Sequence, residues 1–199
     1  MSTDSRERLL EVAARVYAEA GYHGTTTRRI ADEAGLNEVT LFRQFGSKDA
    51  LLREAIEQAD VHSRPLLDSD ADDPISELHR WALACFLRFY QHQKLIRQVL
   101  GDTVQRPEIA PRICEDTSDE MNQLVAFLAV LEERGVLQAG DAMIVQAGAE
   151  MLVHSLLSNA LWRDLVPDLP TPETSVRLYV EVLVRALRAP SVGEESVHP

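Results

Sequence analysis

Residues 21–52 read GYHGTTTRRIADEAGLNEVTLFRQFGSKDALL, and two short helices joined by a tight turn can be read from the string. Thr27 to Ala34 carries Ile30, Ala31 and Ala34 on one helical face. Gly35 follows, placed to adopt the left-handed conformation that ends a helix. Asn37 is a favoured N-cap for a second helix running to about Phe45. Gly46 breaks it, and Ser47 caps a further helix that continues to about Val61. Leu36, Leu41 and Phe45 close a small core, and Ala31 stays small where a larger side chain would push the helices apart. A helix-turn-helix needs these features together with a second helix exposed enough to enter the major groove.

The polar residues of the stretch suit that use. Thr25, Thr26 and Thr27 stand at the start of the supporting helix, where hydroxyls and unpaired backbone N–H groups take a phosphate. Lys48 lies in the first turn of the helix that Ser47 caps, so its charge and that helix N-terminus share a second phosphate position. Arg28, Asn37, Thr40 and Arg43 are the candidates for the groove, with Phe42 beside them, whereas Arg29 reads as a solvated charge. Glu38 has two readings: it accepts from a cytosine amino group, or it is a solvated helix start that favours negative charge. Between residues 20 and 48 the cations Arg28, Arg29, Arg43 and Lys48 face the acids Asp32, Glu33 and Glu38, so this stretch escapes the formal charge of −12 carried by the chain as a whole.

The same run resembles the DNA-binding signature of the TetR family of bacterial transcriptional regulators. The similarity covers roughly residues 6–55. It rests on an aromatic after the first glycine, a Thr-rich cap, an Ile-Ala pair, Ala-Gly at the turn, Thr-Leu-aromatic in the recognition helix, and Phe-x-Ser-Lys-x-x-Leu leading onward. Phe42 stands where the family commonly has Tyr, and Glu38 where it often has Lys. The resemblance implies an all-α protein with an N-terminal three-helix DNA-binding domain, 1–48, and a larger C-terminal helical domain for effector binding and dimerisation, 49–199. It further implies a homodimer, most often a repressor, bound to a palindromic double-stranded DNA operator and released by a small-molecule effector.

Beyond this stretch the apolar periodicity is helical. Helices are expected at Arg6 to Ala20, with Gly21 as the stop, and at Ile75 to about Gln93, Leu95 to Leu100, Glu108 or Thr117 to Arg134, Asp141 to Trp162 and Pro172 to about Arg188. Asp68 to Pro74 reads as a surface loop and the last eleven residues as a frayed tail. The last two helices each carry more apolar surface than one neighbour covers, which predicts a four-helix interface across a two-fold axis; ordinary core packing is the alternative. Trp81, Cys85 and Phe89 recur at four-residue spacing on one face of an almost uncharged helix. With Phe127, Met151, His154 and Ser155 they are the candidates for an effector pocket, against core packing or solvent exposure for each.

Composition excludes other classes. An acidic balance argues against indiscriminate binding to nucleic acid or anionic membrane. The polar N-terminus MSTDSRERLL does not read as a secretion signal, and the apolar run Leu124 to Leu131 is too short to cross a bilayer, so no membrane partner and a cytoplasmic setting are expected. Cys85 and Cys114 are well separated and lack nearby His partners, and no phosphate loop, dinucleotide fingerprint or nucleophile elbow occurs. No metal site, cofactor or enzymatic activity is expected. The alternative reading is a helical ligand-binding or scaffold protein whose DNA module is vestigial.

Overall fold

The computed structural model describes residues 3–61, 64–103, 113–138 and 140–188. Among these residues the chain forms nine helices and no strand: α1 (Thr3–Gly24), α2 (Thr27–Ala34), α3 (Glu38–Phe45), α4 (Lys48–Val61), α5 (Pro74–Gln91), α6 (Gln93–Thr103), α7 (Ile113–Glu133), α8 (Ala142–Trp162) and α9 (Pro172–Arg188).

Local chemistry sets their ends. Thr26 caps α2 by accepting from the Arg29 amide at 3.1 Å, and Gly35 closes it at φ 67°, a conformation that costs a side chain dearly and glycine nothing. The Asn37 side chain accepts from the Val39 amide at 2.8 Å to start α3, and Ser47 Oγ accepts from the Ala50 amide at 3.1 Å to start α4. Asp73 does the same for α5, taking the amides of Ile75 and Ser76, with Pro74 at the first helical position where no amide is needed. Asp141 caps α8 through the Met143 amide.

Two helices run past their expected ends. The expected stop of α1, Gly21, does leave helical geometry, with φ 65° and ψ −176°. Helix resumes beyond it because Thr25 folds back, its amide and hydroxyl both donating to the Gly21 carbonyl at 3.1 and 2.7 Å. α6 continues through Gly101 to Thr103, whose hydroxyl donates to the Val99 carbonyl at 2.7 Å. The expected start at Glu108 and the tail from residue 189 lie outside the described residues.

The chain divides into two compact units, Met1–Arg64 with Gln91–Ile113, and Pro65–Tyr90 with Cys114–Pro199. In the first, α1 packs on α2, α4 and α6. Leu9, Val16, Tyr17, Ile30, Leu41, Leu51, Leu52 and Val99 form one buried cluster. Each such aliphatic side chain stabilises by ~1.5–3 kcal/mol when removed from water, so Ile30 and Leu41 help anchor α2 and α3 on this core. In the second unit Trp81, Phe86, Leu124, Phe127, Leu156 and Val180 are buried, and α8 packs on α9. Among the described residues no helix is long and apolar enough to cross a membrane.

Candidate nucleic-acid interface

The two faces of α3 differ sharply. Leu41 and Phe45 turn into the first unit's core, while Val39 is 71% and Phe42 45% exposed and Arg43 is exposed beside them. Residues 39, 42 and 43 are spaced by three and four, so they occupy one outward stripe. Thr40 and Glu38 are half-buried at its edge. Asn37 is exposed; its side-chain oxygen accepts from the Val39 amide to start the helix, and its side-chain nitrogen keeps its donors.

The threonines divide into three roles. Thr25 is fully buried, its hydroxyl donating inward to Gly21, and is therefore withdrawn from any phosphate. Thr26 is exposed at the α2 N-cap. Thr27 donates its hydroxyl to Glu38 Oε1 at 2.5 Å, joining the first turn of α2 to the first turn of α3.

The cations also divide. Arg28 is open to solvent, with only a loose 3.8 Å approach to Asp32. Arg29 is bound on the other side, to Glu33 at 2.7 Å and Glu19 at 3.0 Å, and Arg15 completes the group by reaching Glu33 at 2.7 Å. The Arg29 hydrogen bond first, then that of Arg15, hold the Glu33 carboxyl below the ordinary carboxylate range, which keeps this cluster ionised and Arg29 turned away from the α3 stripe. Lys48 is half-buried; its ammonium donates to the Tyr22 carbonyl at 2.5 Å and stands 3.7 Å from the centre of the Tyr22 ring. The Tyr22 hydroxyl donates in turn to Asp49 Oδ1 at 2.6 Å. A charge placed over an aromatic face at a helix N-terminus is held in position and suits an anion.

Val39 and Tyr22 are the members of this surface that sequence reasoning missed. For Val39 the signal was present, since an apolar residue off the Ile30–Leu41–Phe45 core stripe has no interior to enter. For Tyr22 it was the aromatic immediately after Gly21.

The effector candidates fall into two sets. Trp81, Cys85, Phe89 and Phe127 are buried in the second unit. Met151 and His154 lie exposed on α8, and half-buried Ser155 donates its hydroxyl to the Met151 carbonyl at 2.6 Å. The structure thus does not direct all seven to one interior. Burial, then the charge of Glu120, push the Cys85 thiol well above its ordinary value, so it stays protonated and inert. Close by in sequence, Arg88 donates to Glu120 Oε1 at 2.5 Å, an ion pair with both partners buried. Two open grooves, of about 690 Å³ in the first unit and about 500 Å³ in the second, are lined by other residues. Among the described residues no group of three His, Cys, Asp or Glu side chains is placed to hold a metal.

Residues 9–55 match the model of bacterial regulatory proteins of the tetR family. The HTH-type transcriptional regulator YvkB of Bacillus subtilis (strain 168) is 26% identical over 138 residues, 69% of this chain and 72% of that protein. The HTH-type transcriptional repressor KstR2 of Mycobacterium tuberculosis is 33% identical over 125 residues, 60% of this chain and 62% of that protein. Among solved structures, a protein from Mesorhizobium loti MAFF303099 shares the fold at TM-score 0.76 and 18% identity, over 95% of this chain and 100% of its own. PfmR from Thermus thermophilus, a TetR family transcriptional regulator, superposes at TM-score 0.64 with 26% identity, over 92% of this chain and 100% of its own.

Proposed function

We propose that the chain is a regulator of the tetR family, whose model its residues 9–55 match, acting as a homodimeric transcriptional repressor that binds a palindromic DNA operator in the cytoplasm and is released by a small molecule. The observation that carries this reading is the outward stripe of α3, with Val39, Phe42 and Arg43 presented to solvent by a helix whose opposite face is anchored at Leu41 and Phe45. A recognition helix enters the major groove with its N-terminal residues on the base edges. Thr26 and Lys48 flank it as phosphate contacts, and Arg28, Thr40 and Arg43 supply polar groups to the groove.

Two observations support a dimer. On α8, Met143, Ile144, Met151 and Trp162 are exposed, and on α9 so are Leu178 and Val182, although the two helices already pack on each other. A second copy covering this apolar surface completes a four-helix interface. Two recognition helices must then lie one turn of DNA apart, about 34–36 Å. For the effector, the buried aromatic set Trp81, Phe89 and Phe127 with Cys85 offers apolar walls, and the Arg88–Glu120 pair a polar anchor. α5 belongs to the second unit, and α6, which follows it in sequence, belongs to the first. A tenfold loss of operator affinity requires only about 1.4 kcal/mol of differential binding between the two states. The net charge of −12 suppresses attachment to unmatched DNA.

Gel retardation of the DNA flanking the protein's own gene tests the proposal: a specific retarded band supports it. The second reading, a helical ligand-binding protein with an inert DNA module, is favoured by the carboxylate of Glu38 on the outer edge of α3 and by the lack of a hydroxyl on Phe42. It is supported instead if no band forms even at low salt.

A further inference from the structure

Val39 and Phe42 are an exposed apolar pair on a helix of eight residues. Val39 follows the N-cap closely, where a β-branched side chain adds nothing to helix stability, and it packs in neither the core cluster nor its partly buried fringe. Glu38, one residue earlier, does not swing freely: the Thr27 hydroxyl holds its Oε1 at 2.5 Å and leaves its second oxygen to accept. Glu38 and Val39 thus sit side by side at the start of the helix, with Phe42 one turn further on, and the cations Arg28 and Arg43 are exposed as well.

We infer that the N-terminal half of α3 reads pyrimidines in each operator half-site: Val39 and Phe42 pack on the C5-methyl group of a thymine, and Glu38 accepts from the N4 amino group of a cytosine. The inference rests on the operator reading above. In the major groove the thymine methyl is the one apolar group that a base presents, so it is the partner an exposed valine and phenylalanine can use. Carboxylate chemistry selects in the same way. Guanine offers N7 and O6 and thymine offers O4, all acceptors that repel it, and the adenine amino group stands beside the N7 acceptor, whereas cytosine presents a donor without a competing lone pair. Glu38 repels phosphate as well, so it is tolerated only where a donor compensates it, which makes it a device for specificity more than for affinity.

The test uses the full chain. Duplexes selected from a random library define the half-site, and each thymine in it is then replaced by uracil, which removes the methyl group alone. Loss of one buried methyl predicts about fourfold weaker binding at one thymine. In Val39→Ser the same replacement changes affinity by less than about twofold. A library selected with Glu38→Gln loses the cytosine at one position that the wild-type library retains. Uracil tolerated at every thymine, an equal loss in wild type and Val39→Ser, or an unchanged cytosine preference in Glu38→Gln overturns the inference while leaving the operator reading intact. A library in which no sequence is enriched overturns the operator reading, and this one with it.

Discussion

Tyr17 on α1 donates its phenolic proton to the Asp102 carboxylate on α6 at 2.7 Å, across 85 residues of sequence. Gln98 donates to the same carboxylate at 3.2 Å. The bond ties the helix that underlies the recognition element to the helix that follows the second unit's α5. Tyr17→Phe removes it while keeping the ring in the core. Hydrogen bonds to a charged group contribute ~1.5–3 kcal/mol, and with Gln98 still present the expected loss is at the lower end, ~1.5 kcal/mol by urea denaturation. Burial first, then the hydrogen bond from Tyr17 to Asp102, push the phenol well above its ordinary value of 10.0. The folded state therefore keeps a proton that the unfolded chain releases, so this stability is complete below about pH 10 and is lost as the pH rises further. Wild type is expected to lose stability faster than Tyr17→Phe between about pH 9 and pH 11.

Arg88 and Glu120 are paired where neither reaches solvent. Removing one partner takes a buried counter-charge away from the other inside the second unit. Glu120→Gln is expected to cost ~3–5 kcal/mol, while the double replacement Arg88→Met with Glu120→Leu recovers most of that loss, because burying two charges costs nearly as much as their attraction returns. Chemical denaturation at one fixed protein concentration checks both. A Glu120→Gln variant as stable as wild type contradicts the account of the pair.

Lys48 is fixed against Tyr22 at the start of α4. As a phosphate contact it has no means to distinguish bases. Lys48→Ala is expected to weaken binding to matched and unmatched duplexes alike and to reduce the slope of log affinity against log salt by about 1. An unchanged slope, measured by fluorescence anisotropy from low to moderate salt, removes Lys48 from the interface.

Val182 is exposed on α9, pointing away from the protomer's own core. A charge there leaves the protomer's packing alone but must be desolvated in a dimer built on α8 and α9. Val182→Glu is expected to sediment as a monomer at micromolar concentration with its helical circular dichroism retained, while wild type sediments as a dimer. A monomeric wild type contradicts the proposed assembly.

The helix-turn-helix was legible nearly residue by residue because its signals are local. Thr26, Gly35, Asn37 and Ser47 act on amides or backbone angles within a few positions, so composition at each site fixes the boundary. Gly21 was legible as a break but not as a break the chain survives, because resumption depends on Thr25 bonding back to it. The Arg29–Glu33 pairing was also written in the sequence, at a spacing of four, and it explains why Arg29 takes no place on the α3 stripe. Pairings between distant positions were not legible. Nothing in the string joins Thr27 to Glu38, Tyr17 to Asp102 or Arg88 to Glu120, since each bond requires two helices to be already docked. The effector set was read from spacing along single helices, which gives a shared face but not its direction, and so it mixed buried Trp81, Cys85, Phe89 and Phe127 with outward Met151 and His154.

The outward stripe of α3 makes one claim above the others: it lies in the major groove. Methylation protection of guanine N7 reports that groove directly, on the DNA flanking the protein's own gene. The account predicts two protected clusters about one helical turn apart, both lost in Arg43→Ala. Retarded DNA whose guanines remain fully reactive, or protection unchanged by Arg43→Ala, would place the contact elsewhere on the protein and contradict it.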